Sequence, residues 1–334
     1  MSTIADVAAR AGVSKATASR ALSGGGYVSA PTREKVRAAA SELSYVAHSS
    51  ATSLATGRSL SVGVIMPALD RWFFAELLAG IQAGLLASGQ DLVLYGIRER
   101  TAERAQLFEE VLPRRRLDGI IAVGIQPSAR ELERLIRVES PLVSIGAYSE
   151  GTSAVSIDDA GAARIATEHL IDLGHRDIAF LGGTADAATH AFGDERRLAG
   201  YRQAMMAAGL AAFVRHADGE PTMPGGYEAA VRMLGDRQSR PTALVAVCDE
   251  AAIGAVVGAR RLGLSVPAEL SIVGIDDHEH AEMFALTTVR QQPRAQGLAA
   301  VEVLRRRMDA PDAAPERQVL PSELVVRAST AAPR

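Results

Sequence analysis

Polar residues near the N-terminus have the types and spacing of a surface that reads base pairs. Lys15, Ala16, Ser19 and Arg20 occupy positions i, i+1, i+4 and i+5, so they share one face of a predicted helix. Lysine and arginine side chains donate hydrogen bonds to guanine, and a small alanine can contact the methyl group of thymine. Taken alone, the same pattern also fits a solvated face on a small helical domain.

A second set of polar residues follows predicted strands later in the chain. Ligands of doubly wound sheets bind outside the carboxyl ends of the strands, so residues directly after each strand are candidates for contacting a small molecule. The candidates are the segment 67–74, Arg98, Gly146, Arg197, Cys248 with Asp249, Asp276 with Asp277, and Gln291. The sequence therefore predicts a binding cleft in addition to the basic helix.

Three short helices are predicted to present the first set. Thr3 can cap a first helix whose apolar residues recur at helical spacing, and Gly12 can end that helix in a tight turn. Ser14 can cap the second helix, and a third begins near Ser29 with Pro31 in its first turn. Two helices joined by a tight turn, with short polar side chains on the second, form a helix-turn-helix.

From Leu60 onward, short apolar strands alternate with amphipathic helices, which is typical of doubly wound parallel sheets. So many strands exceed one comfortable sheet, and we expect two sheets with a cleft between them. The predicted strands are Val62–Met66, Leu92–Tyr95, Gly119–Val123, Leu142–Ile145, Ile178–Leu181, Ala243–Val247 and Leu270–Ile275.

Composition and charge narrow the class of protein. Hydrophobic residues make up 48% of the 334 residues but aromatic residues only 4%, which suits a layered α/β core of small aliphatic side chains. The net charge is −3, yet residues 1–58 carry seven cations against three carboxylates and contain both lysines of the chain. This segregation of charge favours contact of the N-terminal part with nucleic acid.

Other signals argue against several alternatives. No apolar run reaches the roughly 18 residues of a membrane helix, and the first residues lack the features of a secretory signal. With Cys248 as the single cysteine, no internal disulfide can form, and we expect a cytoplasmic protein without membrane contact. No nucleotide-binding glycine motif follows the first strand, so the sequence does not support an enzyme. The stretch Asp276–His280 has metal-ligand residue types but no tetrahedral partners, and we expect neither a metal nor a cofactor.

The chain closely resembles the LacI/GalR family of bacterial regulators over nearly its whole length. The segments that carry the resemblance are Thr3–Leu22, Val28–Val36, Leu43–Tyr45 with Ala51–Ala55, Leu173–Gly183, Arg197–Tyr201, Val273–Asp277 and Leu286–Gln291. The resemblance implies an N-terminal three-helix head with a helix-turn-helix. It also implies an α/β core of two doubly wound parallel-sheet subdomains, similar to that of periplasmic binding proteins.

The resemblance further implies a homodimer that binds a double-stranded, pseudo-palindromic operator through two heads. Hinge helices of the two protomers would pair in the minor groove, where Leu54 would insert into the central base step and bend the duplex. The implied DNA-binding residues are Thr3, Ser14, Lys15, Ala16, Thr17, Ser19, Arg20, Tyr27, Ser29, Thr32, His48, Ala51, Leu54 and Ala55.

The hinge departs from the family pattern at three positions. Ala47, His48 and Thr52 stand where the family usually has proline, asparagine and arginine, so a rigid bend and a phosphate-binding cation are lost. We therefore expect the hinge to hold the operator more weakly or with greater sensitivity to salt. A protonated His48 would restore one phosphate contact.

For the core, the resemblance implies a small effector in the cleft, of the class of mono- or disaccharides or their derivatives. Asp276 and Arg197 would hydrogen-bond its hydroxyl groups or carboxylate. Cys248 stands where the family usually has a ligand-binding asparagine, which puts that one contact in doubt. The implied effector-binding residues are Pro67, Asp70, Phe73, Phe74, Arg98, Gly146, Arg197, Cys248, Asp276 and Gln291.

Several of these residues also have an alternative structural role. Asp276 can cap the following helix, Arg197 can pair with Glu195 or Asp194, and the two phenylalanines can belong to the core. For the whole protein, one alternative is a sugar-binding transport receptor, which shares the core but needs an export signal and no basic head. A corepressor-dependent regulator of non-sugar metabolism, or an activator, is another alternative.

The sequence thus predicts a transcription repressor of carbohydrate-metabolism genes whose operator affinity is controlled by an effector. The predicted parts are a helix-turn-helix domain at 1–46, a hinge at 47–59 and an effector-binding and dimerisation core at 60–334. The predicted subdomains of the core are about 60–158 with 290–320, and about 159–289 with 321–334.

Overall fold

The fold is taken from a computed structural model of the chain. It describes residues 2–23, 27–45, 59–67, 69–97, 101–114, 117–125, 127–137, 140–146, 151–183 and 192–334. Several positions singled out in the sequence lie outside these described residues, namely Ala47, His48, Ala51, Thr52, Leu54, Ala55 and Arg98.

Three helices form the N-terminal head, and their ends are set by local hydrogen bonds. Thr3 Oγ1 accepts from the backbone N–H of Asp6, whose carboxylate accepts in return from the Thr3 N–H. Gly12 ends the first helix with a φ of 66°, a left-handed conformation that glycine adopts without strain. Ser14 and Ser29 accept from the N–H three residues on, at 3.1 and 3.4 Å. The helices are α1 Ile4–Ala11, α2 Lys15–Ser23 and α3 Ala30–Glu42.

Apolar faces of these helices pack against one another in a small core. Val7, Ala18, Ala21, Val36 and Ala39 are at most 4% exposed. Because the buried positions of α2 lie opposite its polar positions, the packing of the head turns the basic face of α2 toward solvent.

Two sheets follow, as predicted, and each has six strands. The first contains β1 Ser61–Met66, β2 Asp91–Gly96, β3 Gly119–Val123, β4 Leu142–Ile145, β5 Ser153–Ile157 and β11 Arg317–Leu320. The second contains β6 Ile178–Leu181, β7 Arg215–Ala217, β8 Ala243–Ala246, β9 Ser271–Asp276, β10 Thr287–Arg290 and β12 Glu323–Val325.

The described helices of the core connect these strands and cover the sheets. In the first half they are α4 Trp72–Ala87, α5 Ala102–Gln106, a π-helical turn Leu107–Val111, α6 Leu112–Arg114 and α7 Ala129–Arg137. In the second half they are α8 Asp159–Asp172, α9 Phe192–Ala207, a 3₁₀ turn Ala211–Phe213, α10 Met223–Leu234, α11 Asp249–Arg261 and α12 Pro293–Asp309. No described helix has both the length and the apolar composition needed to cross a bilayer.

Both sheets have the same doubly wound strand order. The first runs β11-β5-β4-β3-β1-β2 and the second β12-β10-β9-β8-β6-β7, with every pairing parallel except that of β10 with β12. The order reverses between β1 and β3 in one sheet and between β6 and β8 in the other. Such switch points leave a crevice at the carboxyl ends of the strands, where ligands bind.

The chain passes between the two sheets three times. Helix α8 follows β5 yet packs on α9 and on strands of the second sheet. Helix α12 follows β10 but packs on α4 and the first sheet, and β12 returns to the second sheet after β11. The crossings therefore lie near residues 158, 291–292 and 321–322. The predicted subdomain boundaries stay a prediction.

Five strands were absent from the predicted set: β5, β7, β10, β11 and β12. Strands β7 and β12 have only three residues, and β7, β10, β11 and β12 each contain a charged side chain. Partnership with a neighbouring strand, rather than a continuous apolar run, determines these strands, so a hydrophobic pattern alone does not reveal them.

Candidate functional site

Helix α2 carries the candidate DNA-reading face. Lys15, Ala16, Ser19 and Arg20 are all exposed on it. The Nε of Arg20 donates to the carbonyl oxygen of Ala16 at 3.2 Å, which holds the stem along the helix and leaves both terminal nitrogens to other partners. A helix with short polar residues between two cations can enter a major groove and donate to base edges.

The other candidates of the head surround this face or end a helix. Tyr27 is 92% exposed and lies two residues before the capping residue Ser29. The hydroxyls of Thr17 and Thr32 lie 2.9 and 2.8 Å from those of Ser14 and Ser29. Ser14 and Ser29 cap α2 and α3, whose N-termini present backbone N–H groups, and such groups bind phosphates. Thr3 has the same capping role on α1.

The effector candidates of the core meet in a cleft between the two sheets. It encloses about 640 Å³ of space between atoms, counting the part open to solvent. Its walls come from the carboxyl ends of β3, β4, β5, β8 and β9 and from the N-terminal ends of α4, α8, α9 and α12. The lining residues are Arg71, Phe73, Phe74, Gly124, Ile145, Gly146, Ile157, Asp159, Gly193, Asp194, Arg197, Cys248, Asp276, Gln291 and Gln296.

Arg197 is the central charged group of the cleft and is only 7% exposed. Its Nε donates to Asp159 Oδ1 at 2.9 Å and its Nη1 donates to the Val247 carbonyl oxygen at 2.7 Å. The same Nη1 lies 3.6 Å from Asp276 Oδ1. Burial acts to lower the pKa of Arg197, but Asp159 and Asp276 more than offset this and raise it, so the group stays charged.

Asp276 sits at the end of β9 in a strained conformation with a φ of 135°. Gln291 Nε2 donates to its Oδ1 at 2.5 Å, and Gln296 Nε2 donates to the Gln291 amide oxygen at 2.9 Å. The Oδ2 of Asp276 takes no part in these bonds. Burial raises the pKa of Asp276 to about 6, although Arg197 favours its charged form.

Arg71 reaches the cleft from the opposite wall. Its Nε donates to Glu250 Oε2 at 2.9 Å, and its Nη2 donates to the sulfur of Cys248 at 3.6 Å. The guanidinium lies 5.7 Å from the centroid of the Phe74 ring. Burial raises the pKa of the Cys248 thiol to about 12, so the sulfur is a neutral wall group at physiological pH.

Two neighbours of Asp276 have structural partners. Asp249 accepts from Thr288 Oγ1 at 2.6 Å and from the His278 N–H at 2.8 Å. Asp277 accepts from Arg290 and from Arg327, each at 2.7 Å. These bonds hold the loop after β9, whose residues thus serve the scaffold of the cleft. Within the described residues, no group of acidic, histidine or cysteine side chains is arranged to hold a metal ion.

The structure brings together most of the predicted effector residues that it describes. Phe73, Phe74, Gly146, Arg197, Cys248, Asp276 and Gln291 line one cleft. Asp70 instead is exposed, and Pro67 lies half-buried beside Gly124, so neither lines the cleft. Phe74 is 5% exposed and belongs to the apolar core as well as to the cleft wall.

Several lining residues were not predicted from the sequence, among them Arg71, Asp159 and Gln296. Arg71 lay inside the candidate segment 67–74 but was not singled out, although it is the only basic residue there. Asp159 follows β5, a strand that the hydrophobic pattern missed. Arg197 pairs with Asp159 and lies close to Asp276, and the charge of Asp194 also favours its ionised form. Gln296 is in the first turn of α12. A search limited to residues directly after predicted strands does not find it.

The cleft combines donors and acceptors on an apolar floor. Arg197 and Arg71 supply guanidinium donors from opposite walls, and the carboxylates of Asp159 and Asp276 supply acceptors. Phe74 and Ile145 provide the apolar surface. A ligand that both donates and accepts at several adjacent positions, as a polyol does, matches this set.

Comparison with known protein families covers both parts of the chain. Residues 3–48 match the model of bacterial regulatory proteins of the lacI family. Residues 167–330 match that of a periplasmic-binding-protein-like domain.

Known relatives match the chain over almost its full length. Catabolite control protein A of Priestia megaterium is 32% identical over 335 residues, which is 98% of this chain and 99% of that protein. The crystal structure of the lac repressor dimer bound to operator and the anti-inducer ONPF is 28% identical, with a TM-score of 0.84 and 99% of each chain covered. The transcriptional regulator CelR in complex with cellobiose is 30% identical, with a TM-score of 0.71, covering 98% of this chain and 100% of its own.

Proposed function

The chain belongs to the LacI family of bacterial regulatory proteins, and from this premise we propose that it is a repressor of carbohydrate-metabolism genes. It would act as a homodimer on a pseudo-palindromic operator in the bacterial cytoplasm, with a sugar-like effector in the cleft controlling operator affinity. The observation that carries the proposal is the cleft itself, where buried Arg197 holds two carboxylates beside an apolar wall.

Solved relatives support a sugar as the effector class. One regulator of similar structure was solved with cellobiose and another, from Enterococcus faecium, with ribose. The cleft offers neutral polyols what such ligands need, since carboxylates and guanidinium groups alternate around it. Cys248 contributes a neutral sulfur in place of a hydrogen-bonding amide, so we expect the specificity of this site to differ from that of its relatives.

The test combines operator selection with a sugar screen on the full-length chain. Random duplexes are selected at about 0.15 M salt in the presence of genomic competitor, and cellobiose, ribose and glucose are tested by thermal shift. We expect one pseudo-palindromic motif, bound at least about 10³-fold more tightly than competitor. One sugar should then stabilise the protein and change operator affinity by about 5- to 150-fold.

Two variants separate the parts of the proposal. Asp276→Ala should keep the operator preference and lose the sugar response, whereas Lys15→Ala should relax the preference at one base pair and keep the sugar response. A motif without any sugar response would refute the sugar effector but keep the regulator. Sugar binding without a DNA preference would instead show a solute-binding protein, and a protein with neither property would refute the proposal as a whole.

A further inference from the structure

Residues at the start of α4 reach across the cleft and contact the second sheet. Arg71 forms an ion pair with Glu250 at 2.9 Å, and the Trp72 N–H donates to the other carboxylate oxygen of Glu250 at 3.3 Å. The Trp72 ring packs on the ring of His278, with centroids 4.8 Å apart. Arg71 and Trp72 follow β1 of the first sheet, whereas Glu250 and His278 follow β8 and β9 of the second.

The surroundings of this ion pair make it stronger than an ordinary surface pair. The side chains of Arg71 and Glu250 are only 17% and 13% exposed, so water and salt screen their attraction weakly. Both carboxylate oxygens of Glu250 are occupied, and the Arg71 guanidinium rests near Phe74. Opening of the cleft would break all these contacts at once.

Another contact near the cleft does not depend on closure. Gln296 bonds to Gln291 only five positions away, along a single crossing between the sheets. Such a local bond can persist while the subdomains separate. The contacts of Arg71 and Trp72, by contrast, join parts of the chain almost 180 positions apart, so they form only when the two sheets approach.

We propose that Arg71 and Trp72 form a latch, fastened on Glu250 and His278, that holds the two subdomains closed over the cleft. The latch determines how often the cleft opens, and therefore how fast an effector enters and leaves. It goes beyond the proposed function, because its action requires neither a particular effector nor DNA.

The chain carries two natural reporters of this latch. It has one cysteine and one tryptophan, and these are Cys248 and Trp72. Cys248 is 2% exposed and lies beneath Arg71, so a thiol reagent reaches it only through an open state. Because Arg71 and Glu250 also act on the pKa of the Cys248 thiol, labelling rates are compared at equal thiolate fraction, and they then measure the open fraction. The Trp72 emission maximum reports contact with His278.

The experiment labels full-length Glu250→Gln with 5,5′-dithiobis(2-nitrobenzoate) at pH 8, without sugar or DNA. We expect labelling of Cys248 on the order of tenfold faster than in the parent protein, because one partner of a shielded ion pair loses its charge. Trp72 emission should move to longer wavelength. The matched control is Glu131→Gln, which breaks the Arg104–Glu131 pair at 2.8 Å inside the first subdomain, with side chains 12% and 15% exposed.

Two further variants test whether faster labelling comes from a general loss of stability rather than from loss of the latch. Arg71→Met should also accelerate labelling, and the double variant Arg71→Met/Glu250→Gln should label no faster than the faster single variant. Should Glu250→Gln fail to fold, Trp72→Leu tests the other half of the latch through the cysteine alone. An unchanged rate, equal acceleration in Glu131→Gln, or additive effects in the double variant would each overturn the latch.

Discussion

Arg197 is a charged side chain that the fold tolerates in its interior because acceptors surround it. Its Nε donates to Asp159, its Nη1 donates to the Val247 carbonyl oxygen, and Nη1 also lies near Asp276. Its Nη2 makes none of these bonds. One guanidinium thereby orients two carboxylates and keeps a donor for a ligand. The same residue serves the stability of the subdomain and the chemistry of the cleft.

Removal of that guanidinium should be costly to the fold. We expect Arg197→Met to lower the free energy of unfolding by about 3–5 kcal/mol, because Asp159 and Asp276 would remain buried without a cation. Urea denaturation measures the change. Arg202→Met, on an exposed position of the same helix, should change stability by less than about 0.5 kcal/mol. A loss below about 1 kcal/mol in Arg197→Met would contradict the central role of the guanidinium.

The pKa of Asp276 gives the cleft a dependence on pH. Because burial raises this pKa to about 6, the folded chain binds the proton more tightly than the unfolded chain. The free energy of unfolding should therefore fall as the pH rises from about 4 to about 6, because the folded chain must give up this proton at a cost. A sugar that donates to the carboxylate needs the ionised form, so its affinity should fall about fourfold from pH 7.5 to 5.5. Calorimetric titration across this range tests the expectation, and a flat affinity would rule it out.

At the scale of elements, helix α2 works because its two ends and its buried face are set locally. Ser14 caps it, Gly12 gives the sharp turn before it, and Ala18 and Ala21 anchor it to the other two helices. These small side chains let the helices approach closely and leave the polar face intact. Sequence periodicity is sufficient to predict such an element.

Lys15 is the residue of α2 whose role in base recognition can be tested most directly. We expect Lys15→Ala to weaken the best operator by about 1–3 kcal/mol and to relax the preference at one base pair, because a donor to a base edge is lost. Binding to a panel of singly substituted operators measures this. Lys35→Ala, which removes the other lysine from the exposed face of α3, should leave the base preference unchanged. Equal weakening of Lys15→Ala on all duplexes would instead assign Lys15 to a phosphate.

At the scale of the whole molecule, two sheets are joined by three crossings and preceded by a small basic head. A change in the angle between the sheets is the motion that this connectivity allows, since each crossing is only a few residues long. A ligand that binds one angle better shifts the population toward it. In the proposed function, the predicted hinge transmits that shift to the heads.

The hinge prediction concerns Leu54, which lies outside the described residues. If Leu54 inserts into the central base step, Leu54→Ala should reduce both operator bending and affinity, because the unstacked step loses its apolar support. Fluorescence energy transfer between dyes at the ends of the operator measures the bend. Ser53→Ala is the matched control within the hinge and should bend the duplex as the parent does. Unchanged bending by Leu54→Ala would exclude the wedge.

Much of the fold follows from patterns within short stretches of sequence. Caps such as Thr3 and Ser29, the helical spacing of the head, and the apolar strands of both sheets are local signals, and the structure contains each of these elements. Segregation of positive charge into the first 58 residues is likewise visible without a structure. The resemblance to a regulator family rests on such segments too.

Tertiary structure alone decided which distant groups meet. Arg71 pairs with Glu250 only because two sheets of the same strand order face each other across their switch points, whereas Arg197 meets Asp159 because α8 packs on α9 beside the second sheet. Edge strands with charged residues, such as β11 and β12, form because each pairs with a neighbouring strand of its sheet. The physical reason is that these contacts join residues far apart in the chain, and their energy depends on burial that arises only after packing.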